Sequence, residues 1–254
     1  MVGKAKLIFL GSAASLPSAE ADSFYMAIVG PDGKFFLVDC GGSPLHKFLK
    51  VGLNPNLLEG LLLSHHHPDH LYGLPYLAQG LWLLGRKDPL PIWATCEGCE
   101  AIRKLMDAWD WSGLKGFAGV KCYPIELKER VKVLDNEAFE ITASPAEHLI
   151  PTLAFRIRSK LSGNAVVISG DTAPSESVVR LAEEAFILVH ESTGAFPGHS
   201  SAYQAGEIAR RSRVSLLILA HFNPQLAPEE IIKEASLAFG GPVKLASDGD
   251  AYEF

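Results

Sequence analysis

The 254-residue sequence contains little cysteine, and its four cysteines are irregularly spaced. Cys40, Cys96, Cys99 and Cys122 are too few for a secreted disulfide framework, so a reducing, cytoplasmic environment is the simpler interpretation. The CEGC stretch that begins at Cys96 is spaced like half of a zinc ribbon or a thioredoxin-like pair, but no second CxxC completes a four-ligand site. We interpret it as the start of a helix that follows a strand at residues 91–94.

The sequence also lacks an excess of positive charge and any long apolar run. Its 23 Lys and Arg residues against 29 Asp and Glu residues give a formal net charge of -6, which argues against a broad basic surface for nucleic acid. Any phosphate group must therefore be held locally. Since no stretch approaches the roughly 18 apolar residues of a membrane span, we expect a soluble protein without a membrane segment.

The first twenty residues resemble a secretory signal peptide in one respect, because a short apolar run follows two lysines. Their strongly apolar run, residues 7–10, ends at Gly11, whereas the apolar core of a signal peptide needs roughly 7 to 15 residues. We therefore expect a buried first strand that ends in a turn.

Hydrophobic periodicity indicates strands in the first half that are followed by alternating helices and strands. The predicted strands are residues 6–10, 25–29, 35–38, 61–63, 165–169, 186–190 and 216–220. The predicted helices are residues 44–50, 71–84, 98–109, 174–184, 202–211 and 228–238, with Pro174 and Pro228 as first helical residues. The later strands are almost continuously apolar and must be covered on both faces. The pattern predicts an α/β fold, a four-layer αββα sandwich, formed by one domain over residues 1–254.

The segment LLLSHHHPDH, residues 61–70, places four imidazoles and a carboxylate within six positions at the end of a buried strand. Neutral imidazole and carboxylate are the usual ligands of zinc and related divalent ions. Because alternate residues of a strand point the same way, we expect His65 and His67 to lie together and His66 to point away. Asp69 and His70 are expected to face a second metal ion. His46, in a predicted helix, is expected to be an ordinary surface residue.

These residues resemble the metallo-β-lactamase superfamily, whose HxHxDH signature matches His65, His67, Asp69 and His70. Within it the chain is similar to the ribonuclease Z group in seven further segments that follow in order: IFLGSAASLP, FLVDCGG, SPAEHLIPTLAFRI, ISGDT, HEST, GHSSAYQAGEIA and LILAHFNP. The similarity covers nearly the whole chain and implies the same four-layer fold.

The resemblance implies two metal ions that share one carboxylate. The first would bind His65, His67 and His148, the second would bind Asp69, His70 and His221, and Asp171 would bridge them. The positions of Asp171 and His221 are consistent with this ligand set, since each follows a predicted apolar strand and ligand sites in α/β sheets lie at strand ends. Zinc is the expected ion, although manganese and iron suit the same ligands.

The resemblance also implies that His199 is catalytic and that Glu191 orients it. A carboxylate that holds an imidazole fixes its tautomer and prepares it as a general acid. We hypothesise that a hydroxide between the metals attacks a phosphodiester, that Asp69 holds or deprotonates the water, and that His199 protonates the leaving oxygen.

Several departures from ribonuclease Z bear on the substrate. Only 22 residues separate His148 from Asp171, where tRNA-processing enzymes carry a long tRNA-gripping arm, and the loop SAEADS lacks the family's basic residues. Few cationic contacts make tRNA affinity difficult to build. The small cyclic phosphodiesterases of phosphonate metabolism are similarly compact, but they carry an N-terminal cysteine-rich zinc site, and no cysteine precedes Cys40 here. The sequence therefore predicts a phosphodiesterase that acts on a small phosphodiester or on RNA.

Other functions stay open at this point. tRNA 3′ processing and lactone or thioester hydrolysis use the same ligand set, although thioesterases of this fold carry a C-terminal helical domain and only 33 residues follow His221. A metal-containing binding subunit without turnover is disfavoured, because degenerate relatives lose ligands and all seven are present. A homodimer is also expected.

Overall fold

The computed structural model describes residues 3–254, and it contains fourteen strands within that range. They are β1 Lys6–Gly11, β2 Tyr25–Val29, β3 Phe35–Val38, β4 Leu58–Leu62, β5 Leu90–Ala94, β6 Val120–Pro124, β7 Val131–Asp135, β8 Phe139–Ala146, β9 Thr152–Ser159, β10 Ala165–Ile168, β11 Ile187–Ser192, β12 Leu216–Phe222, β13 Val243–Leu245 and β14 Ala251–Glu253. The α-helices are α1 Pro44–Lys50, α2 Pro68–Leu71, α3 Leu74–Leu83, α4 Cys96–Asp107, α5 Glu176–Leu181, α6 Ala202–Ser212 and α7 Pro228–Phe239, with a 3-10 turn at Pro55–Leu57.

The strands form two mixed sheets of seven strands each. One has the order β14-β1-β2-β3-β4-β5-β6, and the other has the order β13-β12-β11-β10-β9-β8-β7. A central core of fully buried side chains, including Phe9 and Leu62 from the first sheet and Phe155 and Val166 from the second, lies between the sheets. Helices α1, α3 and α4 cover the outer face of the first sheet, and α5, α6 and α7 cover that of the second. The predicted four-layer αββα sandwich is confirmed.

Local sequence signals explain where most elements begin and end. Strands β1, β2 and β3 are antiparallel neighbours. Strands β10, β11 and β12 are parallel neighbours, and helices α5 and α6 connect them along the chain. Helix α6 starts with a capping box between Ser201 and Gln204. Helix α7 begins at Pro228, as predicted, and ends at Gly240 in the left-handed conformation.

Two predicted helices differ from the structure. The helix predicted at residues 71–84 is broken at Gly73 into α2 and α3, because the ring of Pro75 would clash with the carbonyl of Leu71 in a continuous helix. Helix α5 starts at Glu176 rather than at Pro174. His46 is exposed in α1, as predicted.

Six strands were not predicted, namely β6, β7, β8, β9, β13 and β14. β6 and β7 are edge strands whose residues are mostly exposed or half-buried, so they carry little apolar signal. β13 and β14 have three residues each, which is too short for a periodic pattern. The assignment of residues 1–254 to one domain stays a prediction, and its first two residues lie outside the described range.

Two of the four cysteines form a disulfide that the sequence analysis does not predict. The helix at Cys96 forms as predicted, with Thr95 as its cap. However, Cys99 on this helix is disulfide-bonded to Cys122 on β6, with the two Cα atoms 5.7 Å apart. Sequence spacing did not reveal the pair because the two residues meet only when α4 packs on β6. Cys40 is a buried free thiol and Cys96 an exposed one.

None of the helices in residues 3–254 is long and apolar enough to cross a membrane.

The disulfide gives a stability prediction. Replacing both Cys99 and Cys122 with Ser should lower the free energy of unfolding by about 3 kcal/mol under oxidising conditions, because the bond closes a loop in the unfolded chain. Denaturant titration measures this difference, which should vanish in reductant, and Cys96→Ser is the control. Free thiols should number two per unreduced chain, Cys40 and Cys96. Four reactive thiols in the unreduced, denatured protein would refute the bond.

Candidate metal centre

The seven candidate ligands lie together at one edge of the sandwich, where the two sheets meet. His65 and His67 follow β4, Asp69 and His70 belong to α2, and the other three come from the second sheet: His148 between β8 and β9, Asp171 after β10 and His221 in β12. The backbone N–H of Leu153 donates to the carbonyl of Ser64 and ties the sheets together beside the cluster. The fold therefore brings together residues that are up to 156 positions apart in the chain.

Three histidines and Asp171 form the first group, whose ligand atoms all lie within 4.8 Å of one another. His67 Nδ1 is 2.9 Å from His65 Nε2 and 3.2 Å from His148 Nε2. His65 and His67 thus lie together at the strand end, as alternation predicts. His66 is absent from the group, and its Nδ1 is buried without a hydrogen-bond partner among the described residues.

Asp69, His70 and His221 form the second group. His70 Nε2 and His221 Nε2 are 3.2 Å apart, and Asp69 Oδ2 is 3.4 Å from His221 Nε2. Asp171 stands between the two groups. Its Oδ1 is 3.5 Å from both His70 and His221, while its Oδ2 is 3.8 Å from His65 and 4.0 Å from His148. Each oxygen of Asp171 therefore faces one group.

Hydrogen bonds on the outer side of four imidazoles fix which nitrogen of each carries the proton. The Nδ1–H group of His65 donates to Ser64 Oγ, and that of His70 donates to Asp39 Oδ2. The Nδ1–H group of His148 donates to the carbonyl of Gly198, and that of His221 donates to Thr193 Oγ1. The hydroxyls of Ser64 and Thr193 donate elsewhere, to Asp39 and to the carbonyl of His221, so they are free to accept these bonds. In the neutral rings, the Nε2 atoms that converge in the centre are therefore bare lone pairs.

Converging lone pairs and carboxylates repel one another unless a cation lies between them. Outer-side hydrogen bonds of this kind are what orient metal-binding histidines in proteins. Nitrogen and carboxylate donors at these separations suit divalent ions such as zinc. The residues present therefore fit divalent metal ions.

The pKa values of the residues at the centre depend on the charges of their neighbours. Burial and the neighbouring His70 lower the pKa of His65 well below its ordinary value. Burial alone would raise the pKa of Asp171, but the facing His221 and His70 lower it well below its ordinary value. Burial also opposes protonation of His70, yet Asp171 and Asp39 raise its pKa well above normal. A metal ion and a proton consequently compete for Nε2 of His70.

Asp39, in the segment FLVDCGG, contacts the candidate centre, although no role is evident for it from the sequence alone. It is fully buried at the end of β3, accepts from the backbone N–H and hydroxyl of Ser64, and holds His70 at 2.8 Å. Its φ of 61° is in the left-handed region, as is the φ of 47° at His221. Such a conformation costs about 1–2 kcal/mol for a non-glycine residue. The available signal was an aspartate that directly follows an apolar strand and is separated from two glycines only by Cys40.

Gly198 is required by the position of His148. Its φ is 80°, and a Cβ atom added there would lie 2.9 Å from His148 Nδ1. Only glycine therefore lets this backbone approach the imidazole closely enough for the Gly198 carbonyl to accept its hydrogen bond at 2.7 Å.

Glu191 and His199 form a pair beside the cluster. Glu191 is buried, and its carboxylate accepts from the backbone N–H groups of Thr172, Thr193 and Ser200. Its Oε1 lies 2.9 Å from His199 Nδ1. This hydrogen bond raises the pKa of His199, although partial burial opposes the rise. His199 Nδ1 is also 3.9 Å from Asp171 Oδ2, and His199, Asp171 and His221 form a third group of convergent donors.

A cleft of about 600 Å³ opens over this centre. It is lined by Ser15, Pro17, Ser23, His67, Pro68, Asp69, Tyr72, Asp171, Thr193, His199 and His221. The seven candidate ligands and the Glu191–His199 pair thus form one centre at the base of an open cleft.

Comparison with known proteins identifies the family. Residues 34–222 match the Beta-lactamase superfamily domain, which is most of the chain. The chain therefore belongs to the β-lactamase superfamily.

The resemblance to ribonuclease Z is also confirmed. Ribonuclease Z of Bacillus licheniformis is 28% identical over 298 aligned positions, which cover 92% of this chain and 94% of that protein. Because the alignment is longer than the chain itself, the relative contains segments that this chain lacks.

Solved structures share the fold. YhfI of Bacillus subtilis, described as a metallo-beta-lactamase fold protein, superposes with a TM-score of 0.85 at 24% identity, over 99% of this chain and all of that one. The short form of human tRNase Z superposes with a TM-score of 0.77 at 23% identity, over 98% of each chain.

The convergent donors predict strong metal binding. Titrating metal-free protein with zinc should reveal two bound ions per chain. His148→Ala or His221→Ala should lower the affinity for one of these ions at least about tenfold. At a hundredfold excess over Kd, an ion should raise the free energy of unfolding by about 2.7 kcal/mol. Calorimetry and thermal unfolding measure both effects, with His46→Ala as the control. Unchanged zinc binding in both ligand variants would refute the assignment.

Asp39→Asn should lower metal affinity about 10- to 100-fold, because the new amide N–H group cannot accept from His70 and allows its ring to turn. Chelator competition measures this loss, and Asp32→Asn, in the exposed turn before β3, is the control. A folded Asp39→Asn protein with wild-type metal affinity would contradict the positioning role.

Proposed function

We propose that the protein is a metal-dependent phosphodiesterase of the ribonuclease Z type. The observation that carries this proposal is the Glu191–His199 pair, which stands 3.9 Å from Asp171 and beside the two donor groups. A general acid next to a two-metal centre matches a reaction in which an oxygen leaves phosphorus and needs a proton. The names of the relatives, ribonuclease Z and tRNase Z, agree with this class of reaction.

In this proposal His65, His67 and His148 would hold one ion, Asp69, His70 and His221 would hold the other, and Asp171, between the two groups, would be shared by both. When bound, two divalent ions would provide a nucleophile near neutral pH and stabilise the charge that develops on phosphorus. Asp69, which lines the cleft, would accept a proton from the attacking water.

His199 would protonate the leaving oxygen. Glu191 accepts from three backbone N–H groups, so it is held rigidly and acts as the acceptor of the His199 Nδ1–H bond. The other ring nitrogen of His199 has no protein hydrogen-bond partner within residues 3–254 and belongs to a ring that lines the cleft. Glu191 is therefore a positioning residue and His199 the proposed acid.

tRNA 3′ processing is the second candidate, favoured by relatives that match over most of their length under the name ribonuclease Z. The short turn between β9 and β10, residues 160–164, lies between His148 and Asp171, the interval in which tRNA-processing enzymes carry a tRNA-gripping arm. The absence of such an arm from this interval favours a smaller substrate.

We further propose zinc as the native ion, a homodimer in solution and a cytoplasmic location. Three-histidine and two-histidine-plus-carboxylate sets suit zinc. The small number and irregular spacing of the cysteines support the cytoplasmic location, and in that reducing environment the Cys99–Cys122 pair would be held largely as two thiols. Metal analysis of protein as isolated, light scattering and thiol alkylation in intact cells test these three statements.

Activity on bis(p-nitrophenyl) phosphate with metal restored tests the proposed function. His199→Ala should lower kcat by about 10²- to 10⁴-fold while both ions remain bound. Glu191→Gln should also lower kcat, and His46→Ala should leave it unchanged. Loss of an ion in His199→Ala would make His199 a ligand instead. Metal-loaded protein that cleaves no diester, but hydrolyses lactones or thioesters or nothing at all, would refute the function.

A further inference from the structure

The connections that surround the cleft contain no lysine or arginine. Five segments, residues 12–24, 63–73, 147–151, 169–175 and 193–201, provide the residues that line the cleft and all candidate ligands except His221, which lies in β12. All 23 Lys and Arg residues of the chain lie outside them. Lys47 reaches Asp22 in the first segment, but Asp248 also holds its ammonium group, and its side chain is only 14% exposed.

A substrate with several phosphates therefore finds no cationic side chain beyond the metal centre. Proteins that bind polyanions neutralise the phosphates with Lys and Arg, and their affinity falls steeply with salt as a result. The exposed charged residues within these segments, Glu20 and Glu147, are both acidic, so the segments offer no positive charge to a second phosphate. The walls favour a substrate whose only negative charge is the phosphate that reacts.

The cleft instead presents apolar surface next to the centre. Tyr72 lines it three residues after Asp69, on the same side of α2, together with the rings of Pro17 and Pro68. Tyr72 is 53% exposed, and its backbone N–H donates to the carbonyl of Pro68. An exposed aromatic ring beside a reacting group is suited to stack on another ring.

We infer that the cleft selects small phosphodiesters that carry a single negative charge and an aromatic group on the non-leaving side, and that Tyr72 recognises that group. This inference rests on the proposed phosphodiesterase function and names its substrate class. An aryl ester and a nucleobase both provide the ring.

The test compares diesters that share one leaving group. Methyl, phenyl and thymidine 5′ p-nitrophenyl phosphates all carry one charge and release p-nitrophenolate, so differences in kcat/KM, each divided by the uncatalysed hydrolysis rate of the same diester, report contacts with the non-leaving group. The phenyl diester should exceed the methyl diester in kcat/KM by about tenfold. The thymidine diester distinguishes a nucleobase from a simple aryl group.

Variants locate the recognition. Tyr72→Ala should bring the phenyl-to-methyl ratio close to one, and Tyr72→Phe should preserve it. Tyr76→Ala is the matched control, because Tyr76 is a comparably exposed tyrosine, 56% against 53%, that does not line the cleft. A wild-type ratio near one, or a ratio that Tyr72→Ala leaves intact, would overturn the inference while the diesterase activity stands.

A binding measurement separates this inference from the function. Diphenylphosphinate and dimethylphosphinate have the shape and charge of diesters but no ester bond, so calorimetry on zinc-loaded protein needs no turnover. Diphenylphosphinate should bind about tenfold more tightly, and Tyr72→Ala should remove the difference. Equal affinities of the wild-type protein for diphenylphosphinate and dimethylphosphinate would contradict the inference even if no diester is cleaved. Precursor tRNA cleaved more efficiently than every small diester, with steep salt dependence, would overturn it while supporting the proposed function.

Discussion

The centre of this protein depends on one electrostatic constraint, namely that lone pairs on five imidazoles and two carboxylates point at the same small volume. The surrounding hydrogen bonds do not relieve this repulsion. Because Ser64, Asp39, Gly198 and Thr193 each accept from an outer Nδ1–H group, the proton of each ring stays on Nδ1 and the inward-facing Nε2 keeps its lone pair. A divalent cation resolves the conflict, and the scaffold supplies the orientation in advance.

The two sheets provide that scaffold by meeting at the edge where the ligands lie. The N–H of His221 donates to the carbonyl of Ser12 and that of Leu153 donates to Ser64, so segments of both sheets are fixed together. The left-handed conformations at Asp39 and His221 are an unfavourable local choice, tolerated because the packed sandwich determines them. The local strain thus coincides with the residues that hold the centre.

The candidate ligands could be predicted from the sequence, but the residues that orient them could not. The HxHxDH cluster was recognisable at the end of an apolar strand, whereas Asp171 and His221 were assigned by the resemblance to ribonuclease Z, with which their positions after apolar strands agree. The helix at Pro228 was recognisable because proline fixes the first turn of a helix. Asp39 escaped assignment because its partners, Ser64 and His70, are 25 and 31 residues away. The Cys99–Cys122 bond escaped for the same reason, since helix α4 and strand β6 come together only through tertiary packing. Weak edge strands escaped because half their residues face water.

Anomalous diffraction from zinc-loaded crystals would test the account most directly, because it locates each ion independently of any assay. We expect two peaks that flank Asp171, one beside His65, His67 and His148 and the other beside Asp69, His70 and His221. A single peak, or peaks that lie away from Asp171, would contradict a two-metal centre and the chemistry proposed for it.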